Sequence, residues 1–181
     1  YRLAFHLTLA CAIYAAVLWT AQQMAAQRAS GVSGTLRGGA LAIAVLVLLQ
    51  IYLGALVAGT NAGLVYNTWP LIDGHLVPTP DRLWFISPTW RNVFENTLTV
   101  QFDHRMIAYT IFVIALLHLI HAWRARSGLA GAIVLAGVVA FQATLGIVTL
   151  LHQAALPLAL AHQFTAIVVF TVAIVHAERL W

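Results

Sequence analysis

Apolar residues run in long blocks along this chain, separated by short polar links and by one long proline-containing segment. Five blocks approach the roughly 20 residues that a helix needs to cross a hydrocarbon core: residues 3–24, 40–59, 102–123, 129–151 and 158–177. Backbone polar groups in lipid must be satisfied within their own segment, so the blocks predict helices and not strands. The predicted fold class is all-α, a polytopic membrane protein with five transmembrane helices, the last four forming a four-helix bundle. Pro70, Pro78, Pro80 and Pro88 argue against a long helix between residues 60 and 101.

Composition supports this reading. Hydrophobic residues make up 62% of the 181 and charged residues 8%, against roughly 25% charged in a soluble domain. There is no lysine, and the net charge of +4 rests on arginines at the ends of apolar blocks. No basic stripe exists, so nucleic acid is excluded as a partner and membrane lipid is expected. Cys11 is the single cysteine, which excludes an internal disulfide and reads as a small buried residue.

Alternation of the spans puts Arg28, Arg37, Arg124, Arg126 and Arg179 on one side, which the arginine excess marks as cytoplasmic. The C-terminus then faces the cytoplasm, across a bacterial inner membrane. The long loop faces outward, with Trp69, Trp84 and Trp90 suited to an interface. Tyr1 enters an apolar run almost at once, with no signal-peptide pattern, so the chain reads as part of a longer protein. The expected organisation is a last helix of a preceding bundle at 1–25, a cytoplasmic linker at 26–39, and a four-helix bundle at 40–181 with its outer loop at 60–101. Similar starts at Leu3-Ala4-Phe5-His6 and Leu158-Ala159-Leu160-Ala161-His162 give a weak internal echo.

Histidine carries the candidate chemistry. Ionisable residues inside spans are costly and mark sites by default, and imidazole is a standard axial ligand of heme iron. His104 and His162 lie near the outer ends of spans three and five, which run in the same direction. Either alone reads equally well as an interfacial residue bonded to a carbonyl. Together, at equal depth, they read as axial ligands of one heme held between two helices. His6 stands at the outer end of span one as a ligand for a second heme whose partner ligand lies elsewhere. His118 and His176 follow the main pair by fourteen residues each, a rise of about 21 Å that returns close to the same helix face. They suit two hemes stacked across the membrane. Their nearness to Arg124, Arg126 and Arg179 favours instead, with His121, the reading of inner-interface residues.

Arg105 follows His104 and is the candidate contact for heme propionates, with Arg91 as an alternative. Local ion pairs with Asp103 or Glu95 are the plainer roles. Gln101 reads as a ligand contact or as a polar helix-start residue. Ala55, Gly59 and Gly63 suggest close helix packing, and Gln142 and Thr144 suggest interhelical hydrogen bonds.

Three segments resemble signatures of the heme A synthase family, in the type shared by alphaproteobacteria and mitochondria. They are Ala62-Gly63-Leu64-Val65-Tyr66-Asn67-Thr68-Trp69-Pro70, Arg91-Asn92-Val93-Phe94-Glu95-Asn96, and Gln101-Phe102-Asp103-His104-Arg105. The resemblance implies eight spans in two similar four-helix bundles. It implies oxidation of the C8 methyl group of heme O to the formyl group of heme A, through hydroxylated intermediates, for terminal oxidases. It further implies heme b as cofactor in the second bundle, between histidines matching His104 and His162. Heme O is the implied substrate of the first bundle, whose last histidine His6 matches. The chain then corresponds to spans four to eight. The family's catalytic glutamate, three residues before a histidine–arginine pair, has Gln101 in the corresponding place here, so no catalytic residue is assigned and this portion alone is expected to be inactive. Heme O synthase (protoheme farnesyltransferase), an unidentified electron donor and further copies of the chain are the implied partners. The competing reading from the residues themselves is a non-enzymatic membrane b-type cytochrome carrying electrons. A structural subunit with interfacial histidines and no heme is the plainest one.

Overall fold

The computed structural model describes residues 1–25 and 31–181. Five helices are long and apolar enough to cross a membrane: α1 (Arg2–Ala25), α2 (Gly34–Gly59), α6 (Thr97–Ala125), α7 (Leu129–Leu151) and α8 (Leu156–Leu180). The protein is an all-α, multi-pass membrane protein. Three short α-helices lie in the loop expected to face outward: α3 (Ala62–Val65), α4 (Pro80–Leu83) and α5 (Asn92–Glu95), with one 3-10 turn at Thr89–Arg91.

Two long helices begin earlier than hydropathy predicts, because capping and not apolarity sets their ends. The Ser33 hydroxyl accepts the Leu36 N–H at 3.3 Å, which starts α2 inside the expected linker. The Asn96 side chain accepts the Leu98 N–H at 3.0 Å, so α6 starts five residues before the apolar block. Arg28, one of the expected inner arginines, lies outside the described residues. At the other end of α6, Arg126 takes a left-handed conformation (φ 51°) and the Ser127 N–H returns to the Ala122 carbonyl, closing the helix.

The helices α2, α6, α7 and α8 form a closed ring in which α2 and α7 each touch both α6 and α8, while α6 and α8 face each other across the centre. The helix α1 packs outside the ring against α2 and α8, where the Tyr14 and Thr171 hydroxyls meet at 2.9 Å. The main core stacks Ile43, Val47, Ile111, Leu135, Val139 and Phe170 in mid-bundle. A smaller cluster of Leu36, Ala40, Ala122, Ala132, Ala177 and Leu180 closes the end expected to face inward. Threonines on the spans return their hydroxyls to the carbonyl one turn back, which satisfies them without a neighbour. Thr144 does the same with Ala140, so the interhelical role expected for it is not the one observed.

The outer loop is tied down by side-chain amides. Asn92 holds the carbonyls of Ile86 and Thr89, and Asn96 those of Arg82 and Leu83. Arg82 pairs with Asp73, and Arg91 with Glu95. The bond from Arg91 holds the Glu95 carboxyl below its ordinary pKa of 4.5 and raises that of the guanidinium. The signature residues at 91–96 thus build the loop's frame.

Candidate functional site

Four histidines on the facing helices α6 and α8 form two levels. At the inner level, Nε2 of His118 and Nε2 of His176 lie 2.8 Å apart in a hydrogen bond, and each residue is 4% exposed. The inner-interface role expected for this pair is therefore not what the structure contains. His121 alone of that group stays half-buried beside the basic end. Fourteen residues outward along both helices stand His104 and His162. Since the inner pair touches and both helices rise equally, the outer pair is level as well, about 21 Å away.

Every one of these rings rests on a glycine of a neighbouring helix. A Cβ on Gly54 would stand 3.2 Å from Cε1 of His104, and one on Gly146 would stand 2.8 Å from Cε1 of His162. A Cβ on Gly39 would come within 3.0 Å of Nδ1 of His118, and one on Gly131 would collide with the ring of His176. Two glutamines add to the outer level. The Gln50 amide donates to the His104 carbonyl and reaches Nδ1 of the same ring, both at 3.0 Å. The Gln142 amide donates to the His162 carbonyl at 2.9 Å, which is the interhelical bond expected of it. Gln50 and the four glycines escaped the sequence reading. Their signal is a repeat: Gly39, Gln50 and Gly54 on α2 recur as Gly131, Gln142 and Gly146 on α7, at one constant offset. The stripe Ala55, Gly59 and Gly63 is not used in that way, since α2 ends at Gly59 and nothing lies within 4 Å of a Cβ there.

The outer level retains unmatched polar atoms: Nδ1 of His162 and the side-chain carbonyl oxygens of Gln50 and Gln142 are buried without hydrogen bonds. Unpaired polar atoms at this depth are costly. Together with the room that glycine gives the two rings, they fit a group that enters between α6 and α8 and reorients these side chains. Heme, which takes one imidazole from each side, meets that description.

Arg105 is turned elsewhere. Its guanidinium donates to the carbonyls of Tyr66, Thr68 and Leu71, at 3.2, 2.8 and 3.3 Å. Gln101 joins it on the Tyr66 carbonyl at 3.0 Å, and Trp69 donates to the Tyr109 hydroxyl at 2.9 Å. In the structure Arg105 thus clamps the loop, and its buried Nε is left without a hydrogen bond. Arg91 is engaged by Glu95. His6 is exposed on α1, bonded through Nδ1 to the Arg2 carbonyl of its own helix.

Residues 1–174 match the model of the COX15-CtaA family, described as cytochrome oxidase assembly protein. The chain belongs to this family. It is 52% identical to a heme A synthase of Rhodopseudomonas palustris (strain BisB5) over 181 residues, covering 99% of this chain and 50% of that protein. It is 52% identical to a heme A synthase of Bradyrhizobium diazoefficiens over 182 residues, with 99% and 51% covered. The chain spans about half the length of the curated relatives it matches. No solved structure matches it at a significant level. Family membership agrees with the resemblance at residues 62–70, 91–96 and 101–105. The first two segments supply loop carbonyls and loop-frame amides, and the third supplies Gln101 and Arg105, which grip that loop, together with His104.

Proposed function

We propose that this chain is the heme-binding portion of a heme A synthase, which holds heme b between His104 and His162. The whole protein oxidises the C8 methyl group of heme O to the formyl group of heme A, through hydroxylated intermediates. The observation that carries the reading is the outer level itself: two histidines on facing helices, each over a glycine, with buried unmatched polar atoms on His162 and on the glutamines that hold the pair, in a chain of this family. His104 and His162 would hold the heme, which would supply one-electron redox chemistry there. Gln50 orients the His104 ring, while Gln142 holds the backbone that carries His162. Arg105 and Gln101 hold the loop over this end of the bundle and limit access of water. The loop faces outward and the C-terminus lies on the cytoplasmic side, as the arginines at the ends of α2, α6 and α8 favour. His6 serves the neighbouring bundle as a ligand, heme O arrives from its farnesyltransferase, and copies of the chain associate.

The test co-expresses the complete protein with a heme O-producing enzyme and separates the extracted hemes by chromatography with mass detection. Heme A or its hydroxylated precursor is expected, and heme content is expected to fall in His104→Ala and His162→Ala. Unconverted heme O beside a folded, heme-loaded protein overturns the activity. Unchanged heme content in both variants overturns the ligands.

A further inference from the structure

The face of α6 that grips the loop continues along the helix as a face left open by the rest of the bundle. Gln101, Arg105 and Tyr109 hold residues 66–71. At the next steps of three and four residues stand Phe112, Leu116 and Ile120, all exposed. Side chains with that spacing share one side of a helix. No long helix covers this side: α6 packs against α2 and α7 and looks across the ring to α8, while α1 lies against α2 and α8. We infer that residues 64–71 lie in the bilayer against this side of α6, where headgroups give way to acyl chains, with Leu64, Val65, Trp69 and Leu71 turned to lipid.

Depth along α6 carries the placement. A helix rises 1.5 Å per residue, and the apolar block of α6 begins at Phe102, so Tyr109 stands about 10 Å inside it. Helical side chains lean back toward the N-terminus of their helix. The Tyr109 hydroxyl, and the Trp69 N–H that it accepts at 2.9 Å, therefore come close to the level of Arg105. Counted from Trp123 at the other end, the roughly 20 residues that cross a hydrocarbon core reach back to His104. Trp69 and Tyr109 thus meet at the edge of that core, where tryptophan and tyrosine are enriched. The stretch with Arg82 and Leu83 is held by Asn96 and Thr99 instead, nearly two turns further from the core.

The same placement accounts for a cation within a span. Arg105 is 7% exposed, and charge at this depth is costly unless it serves a purpose. Residues 66–71 form neither helix nor strand, and irregular backbone at membrane depth is tolerated only where protein satisfies it. The Arg105 guanidinium donates to the carbonyls of Tyr66, Thr68 and Leu71. Gln101 adds a second donor for Tyr66, and the Thr68 hydroxyl a second for Leu71. Pro70 brings no N–H that would need a partner.

The side chains divide in the way a lipid boundary requires. Tyr66 and Ile72 turn in and pack with Leu98 and Phe102. Leu64 and Val65, 53% and 60% exposed, stay outside with Trp69 and Leu71. Apolar residues exposed together mark a surface that meets an apolar partner. This group continues the exposed strip of Phe112, Leu116 and Ile120 on a membrane-spanning helix, so the partner is the acyl chains that cover that strip.

The experiment uses the complete protein in phospholipid vesicles. A nitroxide label is attached in turn to Leu64→Cys, Val65→Cys, Leu71→Cys and Asp81→Cys, and the signal of the unsubstituted protein treated in the same way is subtracted. Collisions of each label with dissolved oxygen, which concentrates among acyl chains, are compared with collisions with a water-soluble nickel chelate. Oxygen should dominate at residues 64, 65 and 71, and nickel at residue 81 beside the stretch held by Asn96. With the label at residue 71, Arg105→Gln should raise nickel collisions several-fold, since the released carbonyls turn to water. Nickel dominating at 64, 65 and 71 would place the segment in water and overturn the inference. Few collisions with either reagent there would mean that protein covers the face, which overturns it as well, and broadening between labels would name a second copy as the cover. The labelled positions are exposed, so they decide even if Arg105→Gln fails to fold. No reading in this experiment depends on heme.

Discussion

Alanine at Gly146 and at Gly54 should differ in effect, and the difference can be worked from the contacts. A Cβ at Gly146 stands 2.8 Å from Cε1 of His162, and one at Gly54 stands 3.2 Å from Cε1 of His104. Ordinary contact begins near 3.4 Å, so the His162 ring has to retreat by about 0.6 Å and the His104 ring by about 0.2 Å. Metal–ligand distances hold within roughly 0.2 Å, so only Gly146→Ala drives its imidazole out of range. Disturbance of groups that orient a ligand typically costs about 10- to 100-fold in metal affinity. A loss of that size is expected for Gly146→Ala, with Gly54→Ala close to native. Overpacking a rigid core costs about 1–3 kcal/mol, but here the group that yields is the end of a side chain. The heme-free protein should therefore unfold nearly as the native one does. The assay is heme titration of the purified complete protein beside thermal unfolding of its heme-free form. Equal heme affinity in the two variants would refute the cradle argument. So would a loss of affinity matched by a loss of fold.

Arg105→Ala removes three hydrogen bonds to loop carbonyls, and a hydrogen bond to a charged group contributes about 1.5–3 kcal/mol net. Amide exchange between residues 66 and 71 should quicken, and Arg105→Lys should restore little because an ammonium lacks the planar fork. Gln50→Leu should alter the spectrum of the heme held between His104 and His162 more than Gln142→Leu does. Gln50 reaches the ring, whereas Gln142 reaches only a carbonyl. Arg91 lowers the Glu95 pKa below 4.5, so the contact helps the loop above that value and is lost as pH falls through the lowered one. Fluorescence of the loop tryptophans should report an acid step that Glu95→Gln lacks, and an identical step in the variant would remove Glu95 as its cause.

The spans were legible because length and apolarity suffice to place a helix in lipid. Their true starts were not, since Arg37, Gly38 and Gly39 interrupt the hydropathy of α2, and Thr97, Thr99 and Gln101 that of α6. Caps at Ser33 and Asn96 set those ends. The spacing of the histidines was legible, but not which way the inner pair faces. Near a basic helix end, a residue turned to the interface and one turned to the bundle have the same neighbours in sequence. Rotation about the helix axis decides, and only the packing of α2 and α7 against α6 and α8 fixes it. The supporting glycines carry no signal within a single span. Their signal was a repeat between two spans.

That repeat also explains the role of Arg105. Gly39, Gln50 and Gly54 recur at 131, 142 and 146, and His104 and His118 recur at 162 and 176. The pair α2 and α6 is thus an equivalent of the pair α7 and α8, and the two differ chiefly in their connections. Residues 60–96 join the first pair, while only residues 152–155 join the second. Arg105 follows His104, but the equivalent place after His162 is held by the exposed Gln163. If the arginine were needed by whatever the two histidines hold, either helix would suit it. It stands instead on the helix that has a long loop to secure, and it spends its donors on that loop's carbonyls. Moving it should therefore fail: Gln163→Arg placed in Arg105→Gln ought to leave loop exchange as fast as in Arg105→Gln alone. Recovery of slow exchange in the double variant would show that the position beside either histidine serves equally, and that the loop is not what holds Arg105 in place.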